Sequence, residues 1–165
     1  MNFQDYMIET TQHAADEAFR YALAVPTEKA EWKPLESGRS VLDQAREMAK
    51  CPVWAYDLIS PHEGPALAEM SEETAKAAMA EQREEMASWK SVEECHGICK
   101  TNLAKLFELY KSLPDERLTE KKWLPFDGGR DFTMKEMMDY PRWNFNYHLG
   151  QIGYIQTLYG DNEMH

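Results

Sequence analysis

Apolar residues recur every three to four positions over four stretches of the chain, the period of amphipathic helices. The first stretch, FQDYMIETTQHAADEAFRYALAV, places Phe3, Met7, Thr10, Thr11, Ala14, Ala18, Tyr21, Ala22 and Val25 toward one face, and Pro26 marks its end. A connector with Pro34 and Gly38 follows. Ser40, with Asp43 three residues on, then forms a capping box for a second helix from Val41 to Ile59, whose apolar positions include Leu42, Ala45, Met48, Ala49, Val53 and Tyr56. Pro52 sits inside that pattern, where it removes a backbone donor and crowds the preceding turn, so a kink near Met48 is expected rather than a stop.

SPHEGPA, beginning at Ser60, reads as a turn cluster, and Ser71 followed by Glu72 and Glu73 caps a third helix. This helix is expected to continue as one long charged element to about Leu113, with Gly97 as a local bend or close contact and Pro114 as its stop. The stretch from Pro114 to Asp131 is too rich in Gly and Pro for a helix and predicts a crossover loop or short hairpin. Thr133 and Glu136 form a second capping box, so the fourth helix runs to Tyr159, kinks at Pro141 and stops at Gly160. Four such helices with no convincing strand run imply an all-α four-helix bundle of up-and-down or crossover topology. With no internal repeat or shift in composition, residues 1–165 read as a single domain.

Composition narrows the function. A formal charge of −11, from 29 acidic and 18 basic residues, disfavours nucleic acid and anionic membrane as partners, because both require clustered Lys and Arg. No stretch has the apolar length of a membrane span and the N-terminus has no signal-peptide pattern, so a cytoplasmic location is expected. Three cysteines, Cys51, Cys95 and Cys99, do not make a disulfide framework; the i, i+4 pair Cys95 and Cys99 lacks C-x-x-C spacing and reads as small buried apolar residues.

Candidate chemistry concentrates on the fourth helix. Asn144, His148 and Gln151 are spaced i, i+4, i+7 and stack along one helical stripe beside the core. Tyr147 and Gln151 flank His148, either orienting it or covering the bundle edge, and Trp54 and Trp143 are candidates for a pocket mouth. Gly150 and Gly153 weaken the same helix intrinsically, which points to close approach by another backbone, a neighbouring helix or a dimer partner. His13 lies on the first helix within reach of the site, although partial exposure suits it better.

Glu31-Trp32-Lys33-Pro34 followed by Ser40-Val41-Leu42, the closing His148-Leu149-Gly150-Gln151-Ile152, and the Gly160 stop occur in an order and spacing that resemble the DinB family. That family consists of four-helix bundles of the DinB/YfiT-like metalloenzyme superfamily and is related to thiol-dependent transferases. The resemblance spans nearly the whole chain and implies a homodimer and a divalent metal, nickel or zinc, held by three histidines. One of these follows the second-helix Ser by seven residues, and two sit at i and i+4 on the fourth helix. In this chain those positions are Glu47, Asn144 and His148, so one imidazole of three remains.

A carboxylate, an amide oxygen and an imidazole still form a donor set, one that leans toward harder cations than three imidazoles would. The expected function is therefore metal-dependent hydrolysis or transfer on a small molecule of unknown identity. The alternative is a metal-free polar cluster in a non-catalytic binding or stress-response bundle. A third reading, thiol-dependent transfer, needs an anion-binding patch from Arg39, Arg46 and Arg142.

Overall fold

The computed structural model describes residues 1–61 and 72–165. The Ser71 cap and the turn cluster beyond Pro61, with His62, lie outside the described residues. Helix α1 spans Phe3–Ala24, α2 Val41–Ile59, α3 Glu72–Ser88, α4 Val92–Ser112 and α5 Met134–Leu158, with a two-stranded hairpin, β1 Lys121–Leu124 and β2 Arg130–Thr133, between α4 and α5.

Both capping boxes form as their sequences dictate. Ser40 accepts from Asp43 N–H while the Asp43 carboxylate accepts from Ser40 N–H, and Thr133 and Glu136 repeat the exchange at the start of α5. Gly160, at φ 94°, takes the left-handed conformation past the end of α5 that a residue with a side chain rarely adopts.

The long third helix expected from the sequence is instead two helices. The break falls at Trp89 to Ser91, where Ser91 accepts from Glu94 N–H and Glu94 in turn accepts from Lys90 N–H. Ser91-x-x-Glu94 is thus a third helix-start signal, hidden within a run that reads as continuous. Trp89 is buried and its carbonyl accepts two bonds from the Arg46 guanidinium, fixing the break against α2. Gly97 neither bends α4 nor admits a close neighbour: a Cβ there would meet nothing within 4 Å.

The segment before α5 resolves into a short 3-10 turn, Asp115–Thr119, and the antiparallel hairpin pairing Lys121 with Thr133 through Leu124 with Arg130. The hairpin alternative holds, and two short strands exist where no strand run was convincing. At its tip Asp127, Gly128 and Gly129 all have positive φ, a run that Gly tolerates without strain.

Four helices make the bundle, and side-chain contacts give their directions. Gln4 reaches Leu113 and Phe19 stacks on His96, so α1 and α4 are antiparallel. Gln156 reaches Tyr21 while Phe3 lies under Lys135, so α1 and α5 are parallel. Arg46 bonds Trp89 and Asn102 bonds Ala49, placing α2 and α4 parallel. The parallel pairing of α2 with α4 requires a crossover connection, which the segment between them, with α3, supplies. Helix α3 lies outside this core, tied to α2 through Lys50 with Glu85 and Trp54 with Gln82. Trp54 therefore serves α3 and not a pocket mouth.

Both internal prolines are accommodated without ending their helices. Pro52 cannot donate to Met48 O, and the Cys99 thiol donates to that carbonyl instead at 3.6 Å, while Asn102 donates to Ala49 O at 2.9 Å. In α5, Pro141 leaves Met137 O without its helical donor, and on the next residue the Tyr110 hydroxyl donates to Met138 O at 2.8 Å. Among the described residues, no helix is long and apolar enough to cross a membrane.

Candidate metal centre between α2 and α5

The seam between α2 and α5 is built by the two capping boxes, which set the register of each helix, and by antiparallel packing that brings the first turns of α2 opposite the middle of α5. On α2, Val41, Leu42, Ala45, Met48 and Ala49 are buried, and within the same face lies one buried uncharged polar residue, Gln44. On α5, Asn144, Phe145, His148 and Ile152 are buried. The face that carries His148 thus meets the face that carries Gln44 and Glu47.

The structure brings Glu47 and His148 together and sets Asn144 one turn before His148 on the buried face. His148 is fully buried, and its Nε2 lies 3.4 Å from Glu47 Oε1. Its other ring nitrogen, Nδ1, donates to Gln44 Oε1 at 3.1 Å. A carbonyl oxygen can only accept, so Gln44 holds the proton on Nδ1 and turns Nε2 toward Glu47. The Nε2 approach to Glu47 lacks hydrogen-bond geometry, and Nε2 and Asn144 Oδ1 are both buried without a hydrogen-bond partner.

The Glu47 carboxylate is held from its outer side by the Arg39 guanidinium, which pairs with Oε2 and leaves Oε1 for the interior. Burial alone would raise this carboxyl; the His148 ring and Arg39 outweigh it and keep the group below its ordinary value. Glu47 is therefore ionised at neutral pH, with its side chain 21% exposed as the outer edge of the cluster.

Next along the seam are Cys51 and Tyr140, whose side chains hydrogen-bond each other; burial pushes both acids up and keeps them neutral. From Tyr140 a ladder of rings runs along α5: Tyr140 stacks on Trp143, Trp143 on Tyr147 at 5.3 Å, and Tyr147 meets the His148 ring edge-on at 5.3 Å. Trp143 thus packs between Tyr140 and Tyr147 on the outer side of α5.

Gln151 makes no hydrogen bond through Oε1, which is buried and unpartnered, so it does not orient His148. That role belongs to Gln44, which the sequence reading missed. Its signal was a polar residue at an apolar spacing, three residues after Val41 and four before Met48. His13 is exposed, lies 3.8 Å from Glu17, and takes no part. Cys95 and Cys99 are buried, with burial pushing Cys95 up to about 11 and Cys99 further, so both remain inert thiols.

The three arginines suggested as an anion patch are each neutralised separately: Arg39 by Glu47, Arg46 by Asp43, and Arg142 by Asp139. They do not combine into a patch.

Among the described residues no three His, Cys, Asp or Glu side chains are grouped to hold a metal ion. Glu47 and His148 meet here, and Asn144, an amide, lies one turn before His148 on the same buried face. Imidazole nitrogen, carboxylate oxygen and amide oxygen are all acceptors, and two of the three atoms are orphaned in a buried space. His148 Nε2 and Glu47 Oε1 lie 3.4 Å apart with no hydrogen bond between them, and a cation at this seam would take both as donors. These residues fit a divalent ion, and the mixed nitrogen and oxygen set suits a harder one than a three-imidazole site would.

No protein-family model matches the chain, and no curated protein matches it in sequence. Solved structures do match in shape. YfiT from Bacillus subtilis, described as a probable metal-dependent hydrolase with an unusual four-helix bundle topology, superposes with a TM-score of 0.70 at 13% identity, over 95% of this chain and 87% of that one. The colibactin self-resistance protein ClbS, solved in complex with a dsDNA, gives 0.66 at 12% identity over 93% and 95%. An uncharacterised protein from Escherichia coli UTI89 gives 0.67 at 12% identity over 94% of each chain. At such identities the likeness speaks for architecture: the chain has the four-helix-bundle fold of the DinB/YfiT-like proteins.

Proposed function

We propose that Glu47, Asn144 and His148 hold one divalent cation and that the protein uses it in hydrolysis or group transfer on a small molecule. The observation that carries this reading is the His148 ring, whose Nδ1 proton is committed to Gln44 while Nε2 is buried, unpartnered and aimed at an ionised carboxylate. A metal-bound histidine commonly donates its second nitrogen to a carbonyl in this way, fixing the tautomer that ligation needs. That the YfiT neighbour is described as a probable metal-dependent hydrolase is in keeping with it.

Each residue then has a part. Gln44 orients the imidazole, Arg39 positions the Glu47 carboxylate and leaves one oxygen inward, and Asn144 adds a neutral donor. Three protein ligands leave coordination positions open, the pattern of a catalytic site rather than a structural one. A bound divalent ion would supply Lewis-acid polarisation and a more acidic water. With His148 and Asn144 sealed in the core, a substrate reaches the cluster past the exposed edge of Glu47 and the Tyr140 to Tyr147 ladder. Tyr140 and Cys51 stay protonated there and present hydrogen-bond donors rather than charge.

Nucleic acid is not carried over from the ClbS complex, because this chain has a net charge of −11 and its candidate arginines are individually paired. The same pairing weighs against an anionic thiol cofactor.

The test is elemental analysis of untagged protein, followed by calorimetric titration with manganese, zinc and nickel. Uptake near one equivalent is expected, lost in His148→Ala and Glu47→Ala and weakened by about 10- to 100-fold in Gln44→Leu. Protein that takes up none of the three ions sinks the metal reading. It would leave a metal-free polar cluster in a binding bundle, a reading supported by the direct Glu47 to His148 approach.

A further inference from the structure

The seam between α2 and α5 has two ends, and the cation proposed above engages one of them. Tyr140, Asn144 and His148 stand at i, i+4 and i+8 on α5, and Gln44, Glu47 and Cys51 at i, i+3 and i+7 on α2, so each set forms one stripe. The helices run antiparallel, and the stripes close on each other at both ends: His148 meets Gln44 and Glu47, and Tyr140 hydrogen-bonds Cys51. Asn144, 2% exposed, lies between the two ends with its Oδ1 unpartnered.

The ends differ in how firmly they are tied. An amide oxygen such as Gln44 Oε1 is a strong acceptor and commits the His148 proton, whereas the sulfur of a thiol is a weak one. Cys51 is fully buried, while Tyr140 is only partly so. The Tyr140 hydroxyl is therefore a donor that is held in place, reaches the open side of the seam, and loses little when it exchanges sulfur for oxygen.

Charge selects what such a donor can receive. The ionised Glu47 carboxylate forms the rim one turn from Cys51, and Arg39 is already engaged with it. An anion approaching Tyr140 is repelled by Glu47 and gains nothing from Arg39. From Trp143 to Leu158, α5 itself has no Asp, Glu, Lys or Arg. Beside Tyr140, Trp143 and Tyr147 are 55% and 49% exposed and stack in line with it, an uncharged apolar wall on the outer side of the helix. An apolar wall with one placed donor suits a neutral ligand, which a single hydrogen bond then orients.

We infer that Tyr140 determines substrate specificity by donating to a carbonyl oxygen of an uncharged, ring-bearing small molecule, an assignment that rests on Glu47, Asn144 and His148 being the reacting centre. The reacting bond then lies about one helical turn from that carbonyl, roughly 5 Å along the seam toward Glu47. Cys51 is the resting partner of the hydroxyl and is given up when the carbonyl arrives.

Infrared difference spectroscopy with para-nitroacetophenone, an unreactive neutral ketone, tests this on the full chain, both metal-stripped and manganese-loaded. The carbonyl band of the bound ketone is expected to move to lower frequency in both states. In Tyr140→Phe the shifted band is expected to disappear and the ketone to bind about 2- to 10-fold more weakly. Manganese uptake by that variant is expected to equal the wild type's, so failure of cation binding and failure of carbonyl recognition are read separately. Cys51→Ala keeps the hydroxyl and removes its resting partner, and is expected to bind the ketone at least as tightly as wild type. On metal-stripped protein, para-nitrobenzoate, the same ring with an anionic head, is expected not to displace the ketone. An unshifted carbonyl band, a shifted band that survives Tyr140→Phe, or displacement by the benzoate would each overturn the inference. So would loss of the band in Cys51→Ala as well, the mark of a bond that only packs α5 on α2.

Discussion

Helix α2 is flanked by α4 on one side and α5 on the other, and the two seams treat their polar groups in opposite ways. On the α4 side, carbonyls near the proline are answered: Met48 O by the Cys99 thiol and Ala49 O by Asn102. On the α5 side, His148 Nε2 lies 3.4 Å from Glu47 Oε1 without a hydrogen bond, and Asn144 Oδ1 is buried with no hydrogen-bond partner. Other unpartnered buried atoms occur, such as Gln4 Oε1 and Gln156 Oε1, but those amides donate through their nitrogens elsewhere. Polar groups are answered at the first seam and left without hydrogen bonds at the second, and the proposed cation site rests on that difference.

Breaking the α4 side should cost the most. Leu106 on α4 is fully buried, and Leu106→Ala is expected to lose about 2–5 kcal/mol in urea denaturation, the usual range for such a cavity. Tyr110→Phe removes the hydroxyl that answers Met138 O in a buried setting and should cost about 1–3 kcal/mol, with cation uptake unchanged. The α5 side should respond the other way. Asn144→Leu keeps the side-chain shape while deleting an unpartnered acceptor, so thermal stability of metal-free protein should change by less than about 1 kcal/mol or rise, while cation affinity falls. A large loss of stability from that substitution would mean that Asn144 serves packing and would erase the contrast between the seams.

The smallest effect belongs to a site remote from both. Hydrogen bonds from the Thr133 backbone and from Arg130 hold the exposed Glu136 carboxyl down to about 2. Because the folded value lies below the ordinary one, this cap contributes fully above the normal carboxylate range and loses its contribution as pH falls through about 2. Glu136→Gln should therefore lower the melting temperature slightly at neutral pH, and the difference from wild type should vanish toward pH 2. A difference that persists there would assign the effect to something other than ionisation.

What was legible in the sequence follows from what is local. The limits of α2 and α5 could be read because a capping box is written within four residues, and both formed as written. The division of α3 from α4 carried the same kind of signal at Ser91 and Glu94, yet the charged run around it had no change of period to draw attention there. The proline carbonyls could not be read, since their partners lie on another helix, about fifty residues away for Cys99 and Asn102. Gln44 was missed because its role exists only once His148, over a hundred residues later, packs against it. Glu47, Asn144 and His148 were reached through family spacing rather than through their chemistry; the structure brings Glu47 and His148 together and places Asn144 on the same buried face.

The prolines of α2 and α5 have a consequence for how the molecule opens and closes. Each helix, taken alone, has a gap in its own ladder; α4 fills the one in α2 through the Cys99 thiol and bonds α5 beside the other through the Tyr110 hydroxyl. Helix α2 therefore completes its bonding only when α4 is seated, and α4 also anchors α5, so the three behave as one cooperative unit. In native-state hydrogen exchange, the amides of α2, α4 and α5 should open together in a single event, and α3, tied on by a few side chains, should exchange ahead of them.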